Sequence, residues 1–495
     1  MRPSGIRVAW TIARRELIDQ ACSLRFLAIL FLVLLMTPLS IYVGVKDYQA
    51  RLNDYNRLSE SKQEFLRTSS SRFLGFDDDS TAANELMVLR VLRAPQPLSI
   101  LVHGMDGALP KYWDFSELGV QPGPPASTIS RLADTFQHLD FEFLIRAVLG
   151  LLAALLGYDA VVGEKEAGTL RTALSHPISR RLFFTGKLLG GTITLLLALT
   201  LAFAIALLCF AWMAPSNLFD WSVLNKLGLI GITSAAYLIC FYLMGLIVSS
   251  LTSSQKTSLL VTLVAWFLLV LTVAPVATLI ARAAVPVQTF QSFDAKRSDL
   301  EKKLSDRTAV QMGEIYREVT GARKGAVSRS LVRSNLEELR KRFEAPYQMY
   351  LNQRRRKLDV LEQEYEGQQE SQQRIAHTIM MLNPALAFAD VCTDLAGTGD
   401  NHYSSWQSAI SNYYQQLEEV LFDRPTTIRI HNGSASFLVS IYPAPNMESL
   451  PAFAAPSEDP AAALQRSLPA AGILMLFIIL FLVGGFAAFS RYDVR

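Results

Sequence analysis

The sequence predicts an α-helical membrane protein: six transmembrane helices with two large extracytoplasmic insertions, mainly α with one small β hairpin. Three observations predict it. Of the 495 residues 51% are apolar and only 18% are charged, a balance that fits a membrane protein with substantial soluble parts. The apolar residues gather into runs of about 20, the length a helix needs to cross a bilayer. Arginines collect at Arg2, Arg7, Arg14 and Arg15, at Arg180 and Arg181, and at Arg491 and Arg495. Positive charge marks the cytoplasmic side, so both termini and the middle cluster belong there, and the number of spans is even.

Taken in order, residues 1–23 carry an amphipathic helix with Ile6, Trp10, Ala13, Leu17 and Ala21 on one stripe and Arg7, Arg14, Arg15, Glu16 and Asp19 away from it. Such a helix either lies in the membrane interface or packs on the protein. The first span is 24–45, too long for a signal peptide's apolar region. Residues 46–138 turn polar and form an outer domain. It opens with a helix from Lys46 into the sixties, then a solvated acidic turn at Asp77-Asp78-Asp79, then a short strand over 97–102. The second span, 139–158, is interrupted by Asp140, Glu142 and Arg146. Glu142 and Arg146 are four apart and are expected to pair near the outer interface. The third (188–213), fourth (227–248), fifth (259–280) and sixth (468–489) spans are cleaner.

The second insertion, 282–467, opens with a charged stretch, 293–381, whose leucines fall at helical spacing in a narrow stripe. That pattern predicts long paired helices, with Gly321 and Gly325 marking the break of a hairpin. The basic run Arg354 to Lys357 reads as a solvated face. Alternating residues around Asn432-Gly433 predict a β hairpin with Ile428, Ile430, Phe437, Val439 and Ile441 on one face. Pro- and Ala-rich residues 443–465 form a linker.

Between the second and third spans, residues 159–187 carry the most informative stretch. Glu164, Lys165, Glu166 and Arg171 are offset from Ala167, Leu170, Ala173 and Leu174, which predicts a short amphipathic helix over 164–174, stopped by Pro177. The ordered set Asp159, Gly163-Glu164-Lys165-Glu166, Gly168-Thr169-Leu170, Leu174-Ser175, Pro177-Ile178-Ser179-Arg180 and Gly186-Lys187 resembles the intracellular loop of type-2 ABC exporter permeases. In that family this loop is the coupling helix seated in a cleft of a separate ATPase subunit. The resemblance implies an ATPase-coupling role for Glu164, Glu166, Gly168, Thr169, Leu170, Arg171, Leu174, Pro177 and Arg180. The Ala167–Leu174 stripe would supply the buried contact and Glu164 and Arg171 the polar anchors. It also makes 1–23 similar to the family's elbow helix. The large insertions are similar to those of a bacterial subgroup that includes nitrous-oxide reductase maturation and gliding-motility permeases. Within that subgroup Pro97-Leu98-Ser99 with Gly104, and Leu382-Asn383-Pro384 with Leu395-Ala396-Gly397-Thr398, resemble recurring segments.

Other chemistries lack their residues. A net charge of +3 without a clustered basic excess does not suit nucleic acid. There is no GxxxxGK[ST] loop, so ATP and magnesium are expected on a partner and no cofactor on this chain. The six histidines show no paired ligand spacing and no GxSxG elbow occurs, so neither a metal site nor a catalytic residue is expected. Four scattered cysteines make no disulfide framework. The expected function is therefore the non-catalytic permease subunit of an ATP-driven type-2 ABC transporter in the bacterial plasma membrane. Its expected partners are ATPase subunits, a second permease, membrane lipid and an extracytoplasmic protein. A mechanotransmitter moving no cargo is the alternative, and a membrane sensor or scaffold a more distant one.

Overall fold

The computed structural model describes residues 5–72, 89–107, 109–116, 119–124, 140–175, 179–213, 220–324, 329–421, 427–432, 435–440, 451–456 and 460–491. Among them six helices are long and apolar enough to cross a membrane: Leu24–Ser61, Phe141–Glu166, Arg180–Met213, Trp221–Leu251, Gln255–Ala284 and Pro460–Ser490. The acidic run Asp77–Asp79, Pro177, Gly325, Gly433, Ile441 and residues 443–450 and 457–459 of the linker lie outside the described residues, and residues 460–465, expected as linker, open the helix of the sixth span.

The least apolar span is the best buried. In the second span 72% of the apolar window is inside the protein, against 17% in the sixth and 11% in the fifth. Its charges are tolerated because protein rather than lipid surrounds them. Arg146 Nε donates to Glu142 Oε1 at 2.7 Å, the pair expected from their spacing. The fourth span lies against it at a crossing that only glycine allows. A Cβ on Gly157 would sit 2.5 Å from the Tyr242 carbonyl oxygen, and one on Gly245 2.5 Å from that of Ala154.

The helix Gly5–Ala21 packs along the start of the third span, and its buried face is Ala9, Ala13, Glu16 and Gln20. This corrects the predicted stripe: Trp10 is 59% exposed. The cause is the partner, because Gly186 and Gly190 leave room for Ala9, Ile12 and Ala13 to approach the third span's backbone.

The first span and the helix expected from Lys46 are one helix, Leu24–Arg72. Three antiparallel strands that the periodicity did not reveal stand beside it in order: β1 (Leu89–Leu92), β2 (Tyr112–Ser116) and β3 (Gly119–Pro122). Trp113 on β2 stacks on Trp406 of the helix Asp400–Leu421 at 5.5 Å. The expected strand at 97–102 is instead a 3-10 turn, Pro97–Ile100. Pro97 suits a helical first position, and Ser99 Oγ donates to the Gln96 carbonyl at 2.6 Å.

The charged stretch forms the helical hairpin, Phe290–Thr320 and Leu336–Met381, with Gly321 ending the first helix at φ +67. Met312, Tyr316, Leu339 and Phe343 make its core. Arg354 is not solvated as expected: it is buried, donating to Glu301 at 2.7 Å. The β hairpin pairs β4 (Thr427–Asn432) with β5 (Ala435–Ser440), Ile428 opposite Val439 and Ile430 opposite Phe437.

One helix was misplaced by the sequence reading. Pro384–Ala396, counted within the outer insertion, turns through 116° from Leu336–Met381 and joins the core of the spans through Ala385, Phe388, Val391 and Leu395. Its thirteen residues are too few to read as a span.

Candidate functional site

The sequence from the last turns of the second span onward is two short helices, Val162–Glu166 and Thr169–Ser175, and not the single helix expected over 164–174. Gly168 separates them with φ +72, a left-handed conformation that costs glycine nothing. The resulting knob leaves Glu166, Ala167, Gly168, Thr169 and Arg171 exposed. Pro177 lies outside the described residues, as do the side chains of Ala173 and Leu174.

Leu170 faces the other way. It is 1% exposed and lies in a cluster with Val161, Phe183, Phe184, Leu246 and Phe489. It therefore holds the knob down onto the chain and is not the buried contact for a partner that the stripe suggested. Phe183 and Phe489 stack at 5.7 Å beside it, joining the third span to the sixth.

Polar contacts then tie the knob to the other spans. Ser249 Oγ accepts from the Val161 and Val162 amides at 3.0 and 2.9 Å, satisfying the first turn after the second span. Lys165 Nζ donates to the Ser249, Ser250 and Thr252 carbonyls at 3.2, 2.6 and 3.0 Å, closing the end of the fourth span. A Glu166 carboxylate oxygen accepts from the Gln255 amide at 2.9 Å, at the start of the fifth. Arg180 donates to the Ser490 carbonyl at 2.7 Å, at the end of the sixth. Asp159 accepts from Arg25 at 2.7 Å, at the foot of the first.

At the centre is a trio: Lys187 and Glu16, both buried, and the half-buried Glu164. Lys187 Nζ lies 2.6 Å from Glu16 Oε2 and 2.6 Å from Glu164 Oε1, so one ammonium holds together the third span, the N-terminal helix and the knob. Burial raises the Glu16 carboxyl above its ordinary value, and Lys187 only partly offsets it. Reading the sequence missed this role for Glu16, Lys165, Lys187 and Ser249. The available signal was a lysine at the edge of a long apolar run, which demands a carboxylate partner.

The second assembly lies at the opposite end of the spans. Asp106 is fully buried and receives both Arg51 and Arg93. Arg51 also lies 2.7 Å from Asp47 and donates to Ser99 Oγ at 2.9 Å. Next to it Gly104, at φ +51, lies against Thr398: the Met105 amide donates to the Thr398 carbonyl at 2.9 Å, and Thr398 Oγ1 to that of Val102 at 3.1 Å. The segments 97–104 and 395–398 that resemble recurring motifs thus meet each other, clamping the two insertions together. Asn383 starts the inserted helix; its Nδ2 donates at 2.6 Å to the carbonyl of Leu269, within the wide turn Leu268–Thr272 of the fifth span. The second span's own wide turn, Leu144–Leu149, receives Tyr237 Oη on the Arg146 carbonyl at 2.8 Å, and the Tyr237 ring stacks on Phe388 at 4.5 Å.

No three His, Cys, Asp or Glu side chains among the described residues are placed to share a metal ion. The chemistry on offer is mechanical: an exposed knob wired to the ends of the membrane helices.

The sequence profile of the family described as ABC-2 family transporter protein matches residues 10–494. The chain is 41% identical over 68 residues to the probable ABC transporter permease protein NosY of Pseudomonas aeruginosa, which is 14% of this chain and 25% of that protein. It is 42% identical over 64 residues to the protein of the same name from Stutzerimonas stutzeri, 13% of this chain and 23% of the relative. The alignments thus span about a quarter of the relatives' length.

Proposed function

Because this chain belongs to the ABC-2 transporter family, and so is a multi-pass membrane subunit of an ABC transporter, we propose that it works as an ATP-driven permease half. An ATPase subunit docks on the knob at Glu166–Arg171 and drives export or extraction of a substrate. ATP and magnesium stay on the ATPase, and a second permease completes the assembly. The carrying observation is that the residues flanking and carrying this exposed knob, Asp159, Glu164, Lys165, Glu166 and Arg180, are bonded to the ends of the first, third, fourth, fifth and sixth spans. A push on it reaches the whole bundle.

The arginine distribution and the even span count support a bacterial inner-membrane orientation with both termini and the knob in the cytoplasm. Cysteine introduced at the exposed Ser404 then labels from outside intact cells and cysteine at the exposed Arg171 does not; the reverse pattern would invert the topology.

Docking is tested on exposed positions, since Leu170→Asp would damage the chain's own core. Arg171→Glu and Thr169→Trp should each weaken ATPase co-purification about tenfold, the effect of 1.4 kcal/mol. Wild-type association in both variants would remove the knob as the docking site.

Mechanotransmission is the second reading, and one observation favours it. The helix Leu336–Met381 runs from the hairpin along the outer end of the fifth span and bends into Pro384–Ala396 among the spans. A shift of the fifth span would therefore move the hairpin, whether or not cargo crosses. Hydrolysis stimulated by an outer protein partner, with none stimulated by any cargo, would select this reading.

A further inference from the structure

We propose that the groove between the start of the third span and the end of the sixth is a binding site for an anionic phospholipid. A cavity of about 300 Å³ opens there, lined by Arg180, Arg181, Val483, Phe486, Phe489 and Ser490. Its two ends differ in chemistry. Arg180 and Arg181 put two guanidiniums at one rim, and Arg180 is held in place by its bond to the Ser490 carbonyl at 2.7 Å. Val483, 61% exposed, and Phe486 form a wall on a span whose apolar window is only 17% buried. The groove therefore opens sideways, where acyl chains run.

That pairing fits one kind of molecule. A guanidinium presents a planar fork of donors that matches phosphate oxygens. Basic residues just beyond an apolar span are attracted to anionic headgroups. An acyl chain laid on Val483 and Phe486 covers apolar surface that a free phosphate or an acidic peptide would leave bare. Phe489, which lines the groove, stacks on Phe183 of the third span, so an occupant would bridge the same two spans that this stack joins. The assignment rests on the orientation proposed above only for its leaflet, the cytoplasmic one.

The experiment uses the full-length protein with its ATPase, purified from mixed lipid and weighed intact by native mass spectrometry. Phosphatidylglycerol and phosphatidylcholine with identical chains are the probes. Retained phosphatidylglycerol is expected on the wild type, falling about fivefold in Arg181→Gln and again in Val483→Trp, which fills the wall. Arg181→Lys should restore part of it, and Lys256→Gln, at an exposed lysine opening the fifth span and outside the groove, should leave the retained lipid unchanged. Equal retention of the two lipids, or unchanged retention in Arg181→Gln, would overturn the site. So would displacement of the lipid by inorganic phosphate, which would make the rim a phosphate site. Loss of ATPase from Arg181→Gln with lipid retention intact would assign the rim to the ATPase interface instead. Thermal melting in phosphatidylcholine separates all of these from misfolding, and failure of the lipid site leaves the docking test on Arg171 and Thr169 unaffected.

Discussion

The two ends of the bundle are held by inverse arrangements of charge. At the knob end, the inner one in the proposed orientation, one ammonium, Lys187, sits between the carboxylates of Glu16 and Glu164. At the opposite end, the outer one in that orientation, one carboxylate, Asp106, sits between the guanidiniums of Arg51 and Arg93. Arginine's rigid fork fixes direction as well as distance, whereas a lysine is a point charge on a flexible stem. The outer clamp is closed further by Asp47 and Ser99 on Arg51, and by Thr398 on the backbone beside Gly104. The inner junction has fewer constraints, and Glu164 keeps part of its side chain in solvent. Such a difference suits a stiff outer frame and an inner joint that can swing while staying connected.

Breaking the outer clamp should have the largest effect. Asp106→Asn leaves the buried Arg93 without its carboxylate and Arg51 with only that of Asp47, and removing one partner from a buried charge cluster costs about 3–5 kcal/mol. Tryptophan fluorescence reports on this directly, because Trp113 and Trp406 stack between the sheet and the second insertion. An unchanged melting transition would show that the clamp is ornamental.

The inner joint should break at lower cost. Lys187→Met strands Glu16, but Glu164 can turn to solvent, so the loss should lie near 3 kcal/mol, the lower end of that range. ATPase association should survive, since the exposed knob remains, while hydrolysis loses its dependence on cargo or partner. Retained coupling in Lys187→Met would mean the force travels by Lys165 and Glu166 alone.

A smaller effect is expected at Asn383. Asn383→Ala leaves the Leu269 carbonyl without its donor in a half-buried setting, a cost toward the lower end of about 1–3 kcal/mol. Hydrogen exchange in the wide turn at Leu268–Thr272 should speed up while the knob is unaffected. Equal exchange would dismiss the link between the hairpin and the fifth span.

Acid should separate the two ends by sign. Burial alone would raise the Asp106 carboxyl, but Arg93 and Arg51 outweigh it and hold it below the ordinary carboxylate range. Its contribution is therefore complete above the unfolded value of about 3.9 and is lost as pH falls through the lower folded one. Glu16 is raised, so in the folded state it binds a proton sooner than when unfolded. Its contribution grows as pH falls through that raised value toward about 4.3. Tryptophan fluorescence in the outer region should hold down to about pH 4. Loss of the outer signal at higher pH in wild type, with Asp106→Asn losing it no earlier, would refute the assignment.

Much of this architecture was legible because apolar length is a local property. The hairpin was legible for the same reason: Gly321 and a leucine stripe announce it within one segment. What escaped depends on distant partners. Glu16 and Lys187 lie far apart in the chain, as do Gly104 and Thr398, and no spacing rule joins them. Leu170 fell on a helical stripe, but the stripe could not say which side was already occupied by Phe183, Phe184 and Phe489. The break at Gly168 was invisible because glycine is tolerated in a helix and left-handed only where the fold requires it. Pro384–Ala396 carries Asp390 and Asp394 among its apolar residues, which made it look like part of the outer insertion.

The buried second span also has a consequence for how the chain is made. Segments leave the ribosome one at a time, and each must be released sideways into lipid on its own hydrophobicity. A charge at the centre of an inserting helix costs about 2.5–3.5 kcal/mol, and less toward its ends. With Glu142 and Arg146 in its opening turns, the second span is poorly suited to that release. Its companion, carrying Tyr237 and Gly245, is synthesised only after the knob and the third span. The nascent chain therefore holds a half-committed segment until the fourth span arrives to shelter it.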